Sequence, residues 1–585
     1  MPRKRKTFWT IDAETDPFHN CTDINCEKCS GVGRIPAPFI FGVYCGDPET
    51  YHEFRTPKEL ETFFNELERD SGPTLFYAHN GGKFDYHFFK DMFNSDEPLL
   101  IINGRMARFN IGGHEFRDSL NIFPNTRLKD FGIKSDISYD KMEKAVRDIH
   151  MKEISAYLRQ DCKGLWDVVK QYFDTYGKQM TQAGASMKVW QKMSGIEAPR
   201  QTKSQYEALK PFYYGGRVQC MRGEAEVRNV DFEVYDINSA YPFAMLHEHP
   251  LSTTFFNTNK LPAEKEIGPC LIKLECVSTK GALPLRHDGD LKFPVTDQKL
   301  EYTVTGWEFL AALETNAIEK VKILDVYKFN KTVSFKEYIE HFFELREQAR
   351  KKGDVAGRTF GKYFMNSLYG KFGANCENYA DYLIASPENE SEHLAKGFTH
   401  YKRWGDRWLM MRRPTADELD DINGKWRYYN IATAASVTGF VRAYLYKAMS
   451  NASGVIYCDT DSIAAESFKN LPTGSELGKW KHEMTCDHYA IAGKKMYAFH
   501  KKGAPMEYDP EAKDGNWKLA SKGVNFGARR DGPELITRIA KGETVLFKPE
   551  APTFSVTRPE PVFIDRYVSA TAKDMTKIGV ANRGA

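Results

Sequence analysis

Apolar and polar residues begin to alternate within the first ten positions of the chain. In TFWTIDAE, residues 7–14, Trp9 and Ile11 point to one side of a strand, and Thr10, Asp12 and Glu14 to the other. A second apolar strand, TLFYA, leads into HNGGKFD, residues 79–85, where a Gly-Gly turn is expected to deliver Asp85 at a strand end. Ile154, Leu158, Leu165 and Val168 then recur at helical spacing, with Tyr157 and Asp161 of YLRQD at i and i+4 on one face. VYDINSAYP, residues 234–242, predicts a strand ending at Asp236, a tight turn, and Pro242 in the first turn of a helix. Phe335, Tyr338, Ile339 and Phe342 give residues 335–353 a helical period that Gly353 breaks, and RTFGKYFMNSLYGKFG follows as a second helix. Val455–Tyr457 and Ser462–Ala465 form two short strands, with Asp459-Thr460-Asp461 at the bend between them.

Composition adds bounds. At roughly 100–200 residues per domain, 585 residues predict three to five units. Hydrophobic residues at 41% and charged residues at 28% are ordinary for a globular chain. No apolar run approaches the roughly 18 residues of a membrane span, so no membrane partner is expected. A strand within ten residues of Met1 leaves no room for a signal or transit peptide, and the chain reads as intracellular. Eleven cysteines, an odd number, are expected to be mostly reduced. A net charge of +3 does not by itself point to nucleic acid. The local basic runs (MPRKRK, Arg346 to Lys352, Lys494-Lys495) are each accounted for by a solvated face. No repeat or low-complexity segment organises the chain, so motifs must.

Two carboxylates on one strand face repel each other unless a cation lies between them. Singly, Asp12, Glu14, Asp85 and Asp161 could be caps or surface groups, and Tyr157 a packed ring. Together they suit a site for two hard cations about 3.5–4 Å apart, which activates water against a phosphodiester. The second constellation is more specific. Asp236 at a strand end suits a Mg²⁺ bridged to a triphosphate, and Tyr241 an aromatic wall that excludes a 2′-hydroxyl. Arg358, Lys362, Asn366 and Tyr369 fall on one helix face. A solvated amphipathic helix explains the cations but not the amide and the aromatic, which suit a triphosphate tail and a stacked base. Arg346, Arg350, Lys351 and Lys352 near the end of the preceding helix add charge for the triphosphate. Two aspartates, Asp459 and Asp461, at the tip of an apolar hairpin cost electrostatic energy unless metal occupies the tip. Beyond them, Lys495 and Tyr497 of KKMY suit a primer strand, and Lys522 another basic contact.

These strings, in this order, resemble the family B DNA polymerases, with spacing similar to the protein-primed branch of small phages and linear plasmids. The resemblance runs from Asp12 to about Lys522. It covers three exonuclease motifs, DxxSxYP, KxxxNSxYG, TxxxR (Thr438 to Arg442), YxDTDS and KxY. It implies a multidomain α/β and α+β fold, with an RNase H-like 3′–5′ exonuclease domain and a palm, fingers and thumb. The corresponding ranges are 1–175 for the exonuclease, 176–243 and 431–530 for the palm, 335–373 for the fingers and 531–585 for the thumb. The insertions 244–334 and 374–430 correspond to the two terminal-protein regions. The resemblance makes Asp12, Glu14, Asp85 and Asp161 metal ligands, with Tyr157 positioning the water. It places Asn80, Phe84, Ser119, Leu120 and Lys134 on the frayed primer end or in cleavage. Tyr213, with Gly215 and Gly216 of YYGGR, would track the template.

The partners implied are primer-template and single-stranded DNA, dNTPs, two Mg²⁺ (or Mn²⁺) per active site and a terminal protein primer. The setting implied is a monomer in the cytoplasm of a phage-infected bacterium. Three departures stand out: SAYP, with Ala240 in place of a leucine; one extra residue between Asn80 and Phe84; and a long second insertion. Rival readings are a polymerase started from an ordinary nucleic-acid primer, a nuclease with a decayed polymerase half, and a non-catalytic scaffold. Intact YCDTDS and NSLYG oppose the second. Seven acidic residues that repel phosphate oppose the third.

One feature falls outside that pattern. His19, Cys21, Cys26 and Cys29 in HNCTDINCEKC resemble a zinc knuckle and could complete a tetrahedral Zn²⁺ site; the alternative is free thiols in a surface loop. Elemental analysis of chelator-washed protein separates the two: one zinc per chain for the knuckle, none for free thiols.

Overall fold

The structure, a computed structural model, describes residues 8–16, 19–20, 33–47, 50–133, 137–221, 225–512, 515–547, 563–564 and 568–572. The N-terminal unit is built on β1 (Phe8–Thr15), which pairs antiparallel with β2 (Pro38–Tyr44) and parallel with β3 (Leu75–Ala78). β4 (His114–Asp118) lies parallel to β3 on its far side. The alternation read from the sequence holds. Trp9, Ile11 and Ala13 pack into an aromatic core with Phe41, Phe64, Phe76 and Phe116. The opposite face of β1 meets α1 (Arg147–Tyr176), whose Ile154, Leu158, Cys162 and Leu165 are buried. Gly42 permits that close approach, since a Cβ there would lie 2.8 Å from Leu158. Asp85 departs from expectation. It follows a tight turn, Gly81–Lys83, and opens a 3₁₀ segment, Asp85–Met92, instead of ending a strand. The Gly-Gly pair makes a helical turn because both glycines are buried, and a Cβ on Gly82 would strike the Met106 carbonyl.

Strands from the range 374–430 extend this same sheet. Asp381–Ala385 pairs with Pro98–Ile102 through Tyr382 and Leu99, and Thr399–Trp404 and Arg407–Arg412 continue outward. Among the described residues the resulting sheet has ten strands. The Arg407 guanidinium donates to the Phe93 carbonyl (2.9 Å) and the Ser95 hydroxyl (3.0 Å). Asp96 bonds the Ser386 amide (3.1 Å), the Asn389 side chain (3.0 Å) and His393 (2.7 Å).

A second sheet, of seven strands among the described residues, centres on β5 (Glu226–Ile237). α2 (Lys336–Lys352) packs on α3 (Val355–Phe372), which meets α4 (Ile431–Ser450), and α4 packs on the sheet. β5 lies between β7 (Ser462–Phe468) and β8 (Trp480–Gly493), and β6 (Ala452–Asp459) forms a hairpin with β7. α4, almost wholly buried, is a helix that the sequence reading did not identify, because apolar residues surround it on all sides. α2 and α3 form an antiparallel pair that ends and restarts at Gly353 (φ 70°) and at Asp354, whose carboxylate caps Gly357. Residues 244–334 carry their own four-stranded sheet with the helix Gly306–Glu314 against it. Near the C-terminus, Leu535, Ile536 and Ile539 of Gly532–Ala540 pack on Ala490, Ala498 and Trp517. Among the described residues no helix is long and apolar enough to cross a membrane.

Candidate active sites

The first site sits where β1 faces α1. Asp12 and Glu14 project toward Asp161, one turn beyond Tyr157, and Asp85 enters from the adjoining 3₁₀ segment, held by the Ala13 amide (3.1 Å). Burial raises Asp12 well above the carboxylate range, and Asp85, Glu14 and Asp161 raise it further. Glu14 is raised by burial and then by Asp161 and Asp85. Burial pushes Asp85 up to about 7. Tyr157 is raised by burial and by Asp161, and shares a hydrogen bond with the exposed Tyr139. Sequence reading missed Asp118 and Tyr139. Asp118 is buried beside Arg105 (3.2 Å) and accepts from the amides of Asn80, Gly82 and Leu120 (3.2, 3.0 and 2.8 Å). It thereby fixes the whole NGGK turn. Its place at the end of a strand, just before Ser119, was the available signal.

The second site lies on the palm-like sheet. Register places Asp236 opposite Ser462, and Asp459 opposite the same serine from the other side, which brings Asp236, Asp459 and Asp461 to one edge. Burial and then Asp461 and Glu483 push Asp236 up to about 7, and burial and then Asp459 push Asp461 up to about 6. Lys495 donates to Asp459 (2.6 Å). Lys518, paired with Glu483, opposes the upward shifts on Asp236 and Asp461. Three non-glycine residues with left-handed backbone border these carboxylates: Ser239 (φ 53°), Thr460 (φ 62°) and Lys495 (φ 59°). The Thr460 amide is held by the Arg217 carbonyl (2.6 Å), and the Asp461 carbonyl accepts from Ile237 (2.8 Å). Tyr241 and Tyr369 stack on each other beside the site, with centroids 4.3 Å apart and planes 18° apart.

Comparison with known proteins follows the same lines. The family profile "DNA polymerase type B, organellar and viral" matches residues 129–453. The DNA-directed DNA polymerase of Enterobacteria phage PRD1 is 34% identical, over 95% of this chain and 98% of its own. The chain belongs to the family B DNA polymerases. The DNA polymerase of Bacillus phage Nf is 23% identical over 64% of this chain and 65% of its own. In fold, Phi29 DNA polymerase complexed with primer-template DNA matches with a TM-score of 0.71, at 17% identity over 97% of this chain and all of that one. Its complex with incoming nucleotide matches at 0.70, again at 17% identity and over 97% of this chain and 100% of the other. This protein is a DNA-directed DNA polymerase similar along nearly its whole length to that of phage PRD1.

The remaining expected contacts of the polymerase fall into two groups. Lys362, Arg350, Lys351 and Lys522 are exposed, whereas Arg346, Asn366, Tyr369, Tyr213, Lys495, Asn80, Phe84 and Leu120 are half-buried. Arg350 is also paired with Glu347 (2.7 Å). Four others are buried in this structure. Ser119 is fully buried on His79 (2.8 Å), and Thr438 is turned into α4. Tyr497 is stacked beneath the site on Phe499, and Arg442 is paired with Glu308 (2.7 Å). Motif spacing marks such residues without telling how deeply each is buried. Gly215 is exposed at the tip of its loop, and a Cβ on Gly216 would lie 2.6 Å from Thr460. Lys134, Cys21, Cys26 and Cys29 lie outside the described residues, and of His19 only the backbone is described.

Donor chemistry in both clusters suits hard divalent cations: carboxylate oxygens, buried or half-buried, where burial and then the like charge of neighbours among the described residues raise Asp12 and Glu14. The fit is incomplete in geometry. Among the described residues no three His, Cys, Asp or Glu side chains already converge as a cation cage. The carboxylates of each cluster stand within electrostatic reach of one another. Asp85 and Asp236, held near 7, and Asp461, near 6, favour the folded protein while protonated. That contribution is complete below the ordinary carboxylate pKa and is lost as pH rises through about 6 to 7. Bound cations should reverse the loss, because they bind the deprotonated form. We predict that Mn²⁺ or Mg²⁺ raises the melting temperature more at pH 8 than at pH 5.5. An equal rise at both would contradict this.

Proposed function

We propose that Asp236 and Asp461 hold the two cations of the polymerisation centre, with Asp459 beside them, and that a second centre at Asp12, Glu14, Asp85 and Asp161 removes misincorporated 3′ ends. The observation that carries the reading is the convergence of buried or half-buried carboxylates at two separate places, where burial and like charge raise Asp12, Glu14, Asp236 and Asp461. When bound, Mg²⁺ or Mn²⁺ supplies charge neutralisation on the phosphates and polarisation of the attacking oxygen for in-line transfer. The protein's own part is positioning. Lys362, with Arg346, Arg350 and Lys351, binds the triphosphate tail. Tyr241, braced by its stack on Tyr369, walls the sugar pocket against a 2′-hydroxyl, and Asn366 lies on the same helix face. Lys495 orients Asp459. In the exonuclease centre Tyr157 orients the water, with Asn80, Phe84 and Leu120 about the frayed end.

Protein priming is the finer reading. It is supported by the motif spacing, by the two insertion ranges 244–334 and 374–430, and by likeness to the PRD1 polymerase along nearly the whole chain. The alternative, an ordinary nucleic-acid primer alone, has no such support.

Asp461→Asn is expected to abolish primer extension and spare degradation of mismatched ends. Asp12→Ala with Asp85→Ala should do the reverse. Loss of a ligand from a two-metal centre should cost at least about 10²-fold in rate, comparable to removing a principal electrostatic contact. Normal extension by Asp461→Asn, or persistent degradation by the double variant, would refute the assignments. Incubation with the terminal protein of its own genome and labelled dATP should leave covalent label on that protein. Extension of DNA primers with no such label would count against protein priming.

A further inference from the structure

We propose that Glu308, in the insertion 244–334, is a positioning residue for DNA synthesis. Through Arg442 it fixes the loop 213–217, and through that loop the turn carrying Asp459 and Asp461; this rests on the assignment of that turn to the polymerisation centre. The connection is continuous. Glu308 and Arg442 form an ion pair (2.7 Å) in which each side chain is 1% exposed. The same guanidinium donates from Nη1 to the carbonyls of Tyr214 (2.7 Å) and Gly215 (2.8 Å). Gly216 comes next, packed so closely on Thr460 that it has no room for a Cβ. The Arg217 carbonyl then accepts from the Thr460 amide (2.6 Å), between the two aspartates.

Glu308 is itself held. Its second oxygen accepts from the amide (3.0 Å) and the hydroxyl (2.8 Å) of Thr305, at the N-terminus of the helix Gly306–Glu314. Two more residues of the insertion grip the same loop: Arg286 donates to the Tyr213 carbonyl (3.2 Å), and Thr303 bonds the Tyr214 hydroxyl (2.8 Å).

An Arg reaching two successive carbonyls cannot hold them without a fixed head group. In the interior, the carboxylate of Glu308 sets that head group's direction and balances its charge. The insertion is therefore needed for extension of an ordinary DNA primer, independently of how a chain is started.

The test uses the full-length protein on a DNA-primed template. Glu308→Gln keeps the shape of the side chain and removes its charge; Glu308→Ala removes both. We expect kcat and template-primer affinity each to fall about tenfold for Glu308→Gln and further for Glu308→Ala, with the KM for dNTP within about twofold of wild type. A merely structural loss would lower the active fraction and leave template-primer affinity per active molecule unchanged. Glu308→Gln combined with Arg442→Gln should be no worse than Arg442→Gln alone, because the two act as one unit. If Glu308→Ala does not fold, Glu308→Gln and the double variant decide. Wild-type extension by Glu308→Gln, or a double variant that loses the product of the two single effects, overturns the proposal. Activity of Asp461→Asn in the same assay would instead overturn the underlying site assignment.

Discussion

Like-charge repulsion among buried carboxylates is the constraint on which the rest of this structure depends. Asp12, Glu14, Asp85 and Asp161 share one pocket, and Asp236, Asp459 and Asp461 share another. Neither arrangement is favourable in the bare chain: burial disfavours the charged forms, and each carboxylate disfavours its neighbour. Rigid scaffolding overrides that cost. In the first pocket, the stacked rings of Phe76, Phe116 and Phe109 lie behind β1, and α1 clamps its other face. In the second, the register of β5, β6 and β7 brings Asp236 and Asp459 to opposite sides of Ser462. Sheets built in this way hold acidic groups together until a cation or a proton relieves them.

The two pockets differ in what they retain to offset the charge. In the first, the largest influences on Asp12 and Glu14 among the described residues are burial and the neighbouring carboxylates. The second keeps Lys495 on Asp459 and Lys518 near Asp236 and Asp461. It also stores backbone strain. Left-handed conformations at Ser239, Thr460 and Lys495 cost on the order of 1–3 kcal/mol each and persist only where surrounding contacts over-determine them. The chain from Glu308 through Arg442 to the loop 213–217 provides such contacts on one side, and the bond from Ile237 to the Asp461 carbonyl provides them on the other.

Local pattern was readable wherever it was periodic. The alternation of β1, the face of α1 that carries Tyr157 and Asp161, the α2–Gly353–α3 succession and the Asp-Thr-Asp hairpin were all legible in the sequence. What escaped depends on distance along the chain or on burial from all sides. α4 has no polar stripe to mark it. The pairing of Tyr382 with Leu99 joins the range 374–430 to the N-terminal sheet, and no motif announces it. Asp118, Lys518 and Glu308 gain their roles from neighbours 38, 35 and 134 residues away, as the bonds Asn80–Asp118, Lys518–Glu483 and Arg442–Glu308 record. Motif strings marked Ser119, Thr438, Tyr497 and Arg442 as important positions but could not say that each is buried.

Calorimetric titration of metal-free protein with Mn²⁺ at pH 7, repeated in buffers of different ionisation enthalpy, tests the central claim most directly. Carboxylates kept partly protonated by burial and mutual repulsion must release protons when a cation takes their place. The predicted result is saturable binding whose observed enthalpy changes with the buffer, with the change reduced in Asp85→Asn and again when Asp236→Asn is added. Saturable binding with an enthalpy independent of the buffer would contradict the account, since the carboxylates would then already be ionised and their repulsion relieved by other means.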